Sequence, residues 1–108
     1  MTVAELAKAL SLEVLVAGDM SRQVTGGHCG DLLSWVMSRA RAGDGWITVM
    51  GNVNAVAVAV LTDAACIILS DNAPLDEEAR LRAQTQQVNI LRGSQDSYTL
   101  AVEMSKWI

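Results

Sequence analysis

The chain has 108 residues, of which 51% are hydrophobic and 19% charged, so it can bury a core and is not a disordered segment. This length fits one domain, and we expect residues 1–108 to form a single unit. Eight basic and twelve acidic residues give a net charge of −4, which argues against a protein held on nucleic acid or on an anionic membrane by its overall field.

The N-terminal third is predicted to contain a short helix and two strands. Thr2, followed three residues later by Glu5, is a capping box that opens a helix through about Leu10. Alternating apolar and β-branched residues then predict two short strands. These strands span Leu12–Ala17 and Arg22–Thr25, and the second ends at Gly26-Gly27.

The middle of the chain alternates helix and strand. Apolar residues recur every three or four positions over Asp31–Arg41, which predicts an amphipathic helix that stops at Gly43. The apolar run Trp46–Met50 predicts a buried strand. The next segment alternates alanine and valine and fits strand or helix. We choose a helix over Asn54–Leu61, because Asn54 is a good N-cap and Ala64–Leu69 is the better buried strand.

The last third is predicted to fold as helix, strand and helix. Pro74 is suited to the first turn of a helix, and the acidic residues after it suit the positive end of the helix dipole. A strand follows over Val88–Leu91, and Ser94 can cap a final helix. One face of that helix would carry Tyr98, Ala101, Val102, Ser105 and Ile108.

This order of elements indicates an α/β fold, with a mostly parallel sheet sandwiched by helices. Ligands of such sheets bind in the loops that follow the carboxyl ends of the strands. We expect those loops at residues 26–30, 51–54, 70–74 and 92–95. The candidate ligand-binding residues are Asn52, Asn54, Ser70, Asp71 and Asn72.

Two features of these loops leave alternatives open. Thr25-Gly26-Gly27 could present backbone N–H groups to an anion, or could be a turn that lets the chain change direction. The side chains of Asn52 and Asn54 could bind a base, ribose or phosphate, or could satisfy their own backbone.

Motifs for common enzyme and metal chemistry are missing from the sequence. It contains no P-loop, no GxGxxG and no GxSxG, so no catalytic residue and no cofactor are predicted. His28 is the single histidine, and Cys29 and Cys66 form no CxxC pair. Structural zinc needs about four converging ligands, so no metal site is predicted. We expect both cysteines to be buried free thiols in a reducing cytoplasm.

No segment is typical of export or membrane insertion. Polar residues interrupt the first turns, where a signal peptide would be apolar. The most apolar stretch, residues 53–69, is broken by Asn54, Thr62 and Asp63, whereas a membrane span needs roughly 18–20 uninterrupted apolar residues. We therefore expect a cytoplasmic protein with no membrane partner.

Residues 24–104 resemble the DRTGG domain. The resemblance rests on three segments in order: WITVMGNVNAVAVAVLTDAACIIL, APLDEEARLRAQ and VNILRGSQDSYTLAVEM. The preceding GDLLSWVM looks like the helix that opens small stand-alone members. DRTGG domains occur as regulatory inserts in CBS-domain inorganic pyrophosphatases and beside the catalytic part of some phosphate acetyltransferases. The resemblance implies a fold akin to the N-terminal domain of HPr kinase and a non-catalytic, often dimeric domain that senses nucleotides or transmits a signal.

The residues that name the family differ in this chain. Longer members have Asp-Arg after the WIT-like strand and Thr-Gly-Gly at the end of the next strand, where this chain has Asn52-Val53 and Ser70-Asp71-Asn72. The arginine is the residue best suited to a bidentate phosphate contact. Its replacement by valine predicts a neutral cleft that suits a nucleoside better than a polyphosphate.

Two hypotheses for function follow. In the first, the chain is a regulatory or ligand-sensing homodimer that binds an adenine nucleotide or another small polar metabolite at the candidate residues above. In the second, it is an adaptor that only contacts a protein partner. The second is motivated by the helix Asn54–Leu61, apolar nearly all round and so expected at a two-fold axis, and by Trp35 and Trp107, which serve as partner anchors or complete the core.

Overall fold

The computed structural model describes residues 1–108 and contains five helices and five strands. The helices are α1 (Val3–Ala9), α2 (Leu33–Arg39), α3 (Val53–Thr62), α4 (Glu77–Gln86) and α5 (Ser97–Ser105). The strands are β1 (Glu13–Val16), β2 (Gly26–Cys29), β3 (Asp44–Thr48), β4 (Cys66–Leu69) and β5 (Ile90–Arg92). No helix combines the length and apolarity that crossing a membrane requires.

All five strands form one sheet in the order β1-β5-β4-β3-β2. Strands β2 to β5 are parallel, and β1 pairs antiparallel with β5. Each parallel strand lies beside the next one in the chain, so the right-handed crossovers put α2, α3 and α4 on one face. The other face is covered by α1 and α5. The predicted α/β fold with a mostly parallel, sandwiched sheet is confirmed.

Side chains that alternate along the strands build a core on each face of the sheet. Trp46, Ile67 and Leu69 point to the face covered by α2, α3 and α4. The intervening residues, Ile47 and Ile68, point to the face covered by α1 and α5. This double burial explains why the central strands appear in the sequence as nearly continuous apolar runs.

The second predicted strand, Arg22–Thr25, is wrong. Within it Gln23 forms only an isolated bridge with Thr2, and the strand begins at Gly26. A Cβ atom on Gly27 would meet Met104 Cε, the flexible end of a side chain of α5, so α5 packs closely against this strand. Residues 26–29 are therefore not a carboxyl-end loop, and Gly26-Gly27 begins a strand and is not a turn.

Four of the five helices have a side-chain N-cap, whereas α2, which follows Leu32, has none. The Thr2–Glu5 capping box is present as predicted. The other caps are Asn52, Asp76 and Asp96, whose side-chain oxygens each accept the N–H three residues further on. Asn52 and Asp96 replace the predicted caps Asn54 and Ser94, and Pro74, predicted in the first turn of a helix, lies before the Asp76 cap of α4.

Three further expectations about burial need correction. Cys66 is buried as predicted, and burial raises the pKa of its thiol to about 12, but Cys29 is exposed. The buried face of α5 carries Leu100 and Met104, whereas Tyr98 is 79% exposed. Helix α3 is buried on one face only: Ala55, Val56, Val58 and Ala59 lie in the chain's own core, whereas Val60 and Leu61 are exposed.

A buried asparagine joins three parts of the chain at the amino end of the sheet. Asn89 Oδ1 accepts from the Gly18 N–H at 2.8 Å. Its Nδ2 donates to the Asp19 carbonyl at 2.7 Å and the Ala65 carbonyl at 3.0 Å. The side chain thus holds the turn after β1 against the starts of β4 and β5.

We predict that Asn89→Ala lowers the free energy of unfolding by about 2–3 kcal/mol, because three backbone groups lose their partner at a buried position. Urea unfolding measures the change. Asn54→Ala is the matched control, since Asn54 is exposed, and it should stay within about 0.5 kcal/mol of the parent. Equal effects of the two substitutions would contradict the role of Asn89.

The chain should lose stability on acidification. The Thr2 backbone N–H lowers the pKa of Glu5 from its ordinary 4.5, and the Thr99 backbone N–H lowers that of Asp96 from 3.8. These bonds stabilise the fold fully above the ordinary values, and the contribution is lost as pH falls through the lowered ones. Asp96→Asn keeps the cap without titrating, so its unfolding free energy, followed by urea titration from pH 7 to pH 2, should fall less steeply below about pH 4 than that of the parent.

Candidate functional site

The parallel strands bring four loops to one edge of the sheet, as their carboxyl ends must. The loops comprise residues 30–32, 49–52, 70–76 and 93–96. Their contacts form three groups, which join each loop to the next one across the edge: β2 to β3, β3 to β4 and β4 to β5.

Asp31 joins the ends of β2 and β3. Its Oδ1 accepts from Thr48 Oγ1 at 2.8 Å and from the Val49 N–H at 3.0 Å. Thr48 Oγ1 in turn accepts from the Met50 N–H at 3.2 Å. Thr48 is fully buried, so these bonds fix the course of the chain as it leaves β3.

Asn52 lies beside a shallow pocket of about 270 Å³. Its Oδ1 accepts from the Ala55 N–H at 2.9 Å, whereas its Nδ2 makes no hydrogen bond within the chain. The opposite wall of the pocket is formed by the loop after β4. This loop lies close to Gly51, whose carbonyl accepts from the Asp76 N–H. A Cβ atom on Gly51 would collide with Pro74, so the glycine allows this close approach. The pocket is lined by Val49, Met50, Gly51, Asn52, Pro74 and Asp76.

Ser70, Asp71 and Asn72 bind the loop after β5. Ser70 is fully buried, and its Oγ lies 3.0 Å from Ser97 Oγ. The N–H groups of Asp71 and Asn72 donate to the carbonyls of Gln95 and Gly93, both at 2.9 Å. Both residues have positive φ, 56° and 50°, which aspartate and asparagine tolerate better than most residues. Their side chains are exposed.

The five candidate residues are therefore divided. Asn52 alone lines the pocket, and Ser70, Asp71 and Asn72 belong to the contact with the next loop. Asn54 is exposed in the first turn of α3 and outside the pocket.

The charges at this edge do not favour phosphate. The starts of α3, α4 and α5 are capped by oxygens of the chain itself, so their N–H groups are already partly satisfied. Two of those caps are carboxylates. Arg92 is the cation at this edge, and its guanidinium donates to Glu13 Oε1 at 3.0 Å and to the Ala73 carbonyl at 3.4 Å. The pocket is suited to hydrogen bonding with a neutral group.

The His, Cys, Asp and Glu side chains of this chain are not grouped to hold a metal ion. The structure contains no cluster of three or more His, Cys, Asp or Glu side chains that could hold an ion. His28 lies on β2, where the nearest exposed nucleophile is its neighbour Cys29. Burial, and the nearby Asp31 charge, raise the pKa of the Cys29 thiol, which disfavours the nucleophilic thiolate.

Sequence reasoning missed Asp31, Thr48, Ser97 and Asp76 as residues of this edge. Asp31 and Asp76 were assigned to helix starts, and Thr48 to the interior of a strand. The available signal was position: each lies at a boundary between a strand or loop and a helix, where parallel topology gathers polar groups.

Comparison with known proteins confirms the resemblance. The family model described as DRTGG domain matches residues 5–107. The fold is similar to a crystal structure of the CBS and DRTGG domains of the regulatory region of Clostridium perfringens pyrophosphatase, complexed with its activator, diadenosine tetraphosphate. The TM-score is 0.78 at 13% identity, over 95% of this chain and 45% of that one. The chain thus spans about half the length of that regulatory region, and at this identity the likeness shows the fold. A search of curated proteins gives no match.

Asn52 should stabilise the start of α3 whatever else it does. We predict that Asn52→Ala lowers the free energy of unfolding by about 1 kcal/mol through loss of the cap, and that Asn52→Asp retains the stability of the parent, because aspartate caps equally well. Urea unfolding compares the three proteins. A loss of stability in Asn52→Asp as large as in Asn52→Ala would contradict the assignment.

Proposed function

The chain belongs to the DRTGG domain family, and from this premise we propose that it is a non-catalytic regulatory module that senses a nucleoside-like metabolite as a homodimer. Residues 1–108 act as one unit in this proposal. Its place of action is the cytoplasm, which the two unpaired cysteines support. The regulatory region with the similar fold binds diadenosine tetraphosphate, and this makes adenine compounds the first ligands to test.

The observation that carries the proposal is the pocket beside Asn52. The Nδ2 of Asn52 is a donor with no partner in the chain. Asp76 lies across the pocket; its Oδ1 caps α4, and its Oδ2 is a free acceptor. A donor and an acceptor that face one cavity match the edge of a base or the hydroxyls of a ribose. At about 270 Å³ the pocket suits one nucleoside moiety, with any phosphates left in solvent.

Thermal unfolding with adenosine, ATP and diadenosine tetraphosphate tests the proposal. A ligand at ten times its Kd stabilises the native state by about 1.4 kcal/mol, or roughly 6–10 °C in Tm for a domain of this size. We expect adenosine to raise Tm, and the phosphate chains to add no affinity. Binding that requires the phosphates would overturn the assignment of this pocket.

Asn52→Asp separates the ligand contact from the cap. It keeps the oxygen that accepts the Ala55 N–H, but it replaces the Nδ2 donor with a second acceptor next to Asp76. The variant should therefore unfold like the parent without ligand and lose the shift with adenosine. Asn54→Ala, outside the pocket, should keep that shift.

The second candidate function is an adaptor without a small ligand. It is favoured by two tryptophans that do not complete the core: Trp35 is 57% exposed and Trp107 is 52% exposed. If no adenine compound changes Tm at millimolar concentration, the adaptor function replaces the sensing function.

A further inference from the structure

The two edges of the sheet are built differently. At the β1 edge, the register shifts between Val14 and Val16, so a bulge interrupts the strand. The carbonyl of Leu15 accepts from Arg80 Nη1 at 2.8 Å, and Glu13 places a charge on the strand. Bulges, charges and occupied carbonyls are the devices that prevent a strand from pairing further.

The β2 edge has none of these protections. Gly26–Cys29 carries no acidic residue, lysine, arginine or proline, and it pairs only with β3. The Gly30 N–H donates to the Ile47 carbonyl, so the backbone groups of Gly30 point toward β3. Successive residues of a strand point their backbone groups to alternate sides, and those of Gly27 and Cys29 therefore point away from β3. Gly27 and Cys29 are both exposed, so a row of unpaired donors and acceptors faces outward.

Apolar grooves flank this open strand on both faces of the sheet. The larger cavity, about 370 Å³, lies between β2 and α5, where Ala101, Met104 and Ile108 contribute apolar walls. A second one of about 260 Å³ lies on the α2 side and includes Leu32 and Trp35, which are 60% and 57% exposed. A strand added at this edge would therefore cover apolar surface as well as complete backbone bonds.

We propose that β2 pairs antiparallel with β2 of a second copy of this chain, across a two-fold axis at His28, so that two sheets become one. The inference rests on the homodimer in the proposed function and specifies its surface. With the axis at His28, Gly27 of each chain faces the partner's Cys29, and both pairs exchange N–H and C=O bonds. The two His28 residues then form the non-hydrogen-bonded pair between them.

The charges beside β2 favour a second copy over an unrelated segment. Arg39 and Arg41 line a groove next to Thr25, at the beginning of the strand. Asp44, which also lines it, is buried and accepts the Arg41 N–H. Asp31, exposed, follows the end of the strand. An antiparallel two-fold brings Asp31 of each chain opposite the partner's Thr25, and hence to this basic groove.

The first test is oligomeric state by light scattering at tens of micromolar. The parent should be a dimer. Cys29→Pro removes the outward N–H at a position where an edge strand tolerates proline, and should raise the dimer Kd on the order of 30-fold, because two interchain donors are lost. Cys29→Val, which keeps the N–H, is the matched control and should remain dimeric. Circular dichroism shows whether each variant is folded.

Cross-linking gives a second readout that does not depend on the proline variant. In a Cys29→Ser background, His28→Cys puts two thiols at a non-hydrogen-bonded pair with Cα atoms about 4.5 Å apart, within disulfide range. Mild oxidation should give a covalent dimer. Ser38→Cys, exposed on α2 and away from the axis, should not cross-link.

The outcomes separate this inference from the rest of the proposed function. A monomeric parent overturns the homodimer and the β2 pairing together, while adenosine binding is judged by its own thermal shift. A parent dimer that survives Cys29→Pro and gives no cross-link at residue 28 overturns only the β2 pairing. A folded, monomeric Cys29→Pro variant, together with the cross-link, supports it.

Discussion

The structure depends on the requirement that every backbone polar group buried with the sheet must have a partner. At the amino end Asn89 meets this requirement with three bonds from one side chain. At the carboxyl end the side chains of Asp31 and Thr48 meet it for the N–H groups of Val49 and Met50. The amino end is thereby closed, whereas the carboxyl end retains side-chain groups that bond nothing within the chain, and Asn52 supplies one of them.

The residues that stand where the resemblance places the family's signature make structural contacts in this chain. Asn52 caps α3, and Val53 starts that helix with no charge. Ser70, Asp71 and Asn72 hold the loop after β4 against the loop after β5. Because the helix starts at this edge are capped, and Asp76 and Asp96 place carboxylates there, the edge lacks the free helix N-termini with which α/β sheets usually bind phosphate.

The layered fold could be predicted because its signal is local. A continuous apolar run such as Ala64–Leu69 is typical of a strand that is buried on both faces. Strand β2 could not be predicted, because Gly-Gly-His-Cys has little strand propensity; it is a strand through its parallel pairing with β3, which is distant in sequence. The candidate site was located by topology, but Asp31 and Ser97 act through partners distant in sequence, and no local pattern reveals such pairs.

The features that prevent pairing at β1 also limit the number of chains that can join through β2. Two chains that join through β2 use up the open edge of each, and the combined sheet is bounded on both sides by bulged β1 strands whose Leu15 carbonyls are occupied. Growth by strand addition therefore stops at two chains. The protein can therefore expose an unpaired edge strand without assembling into fibres.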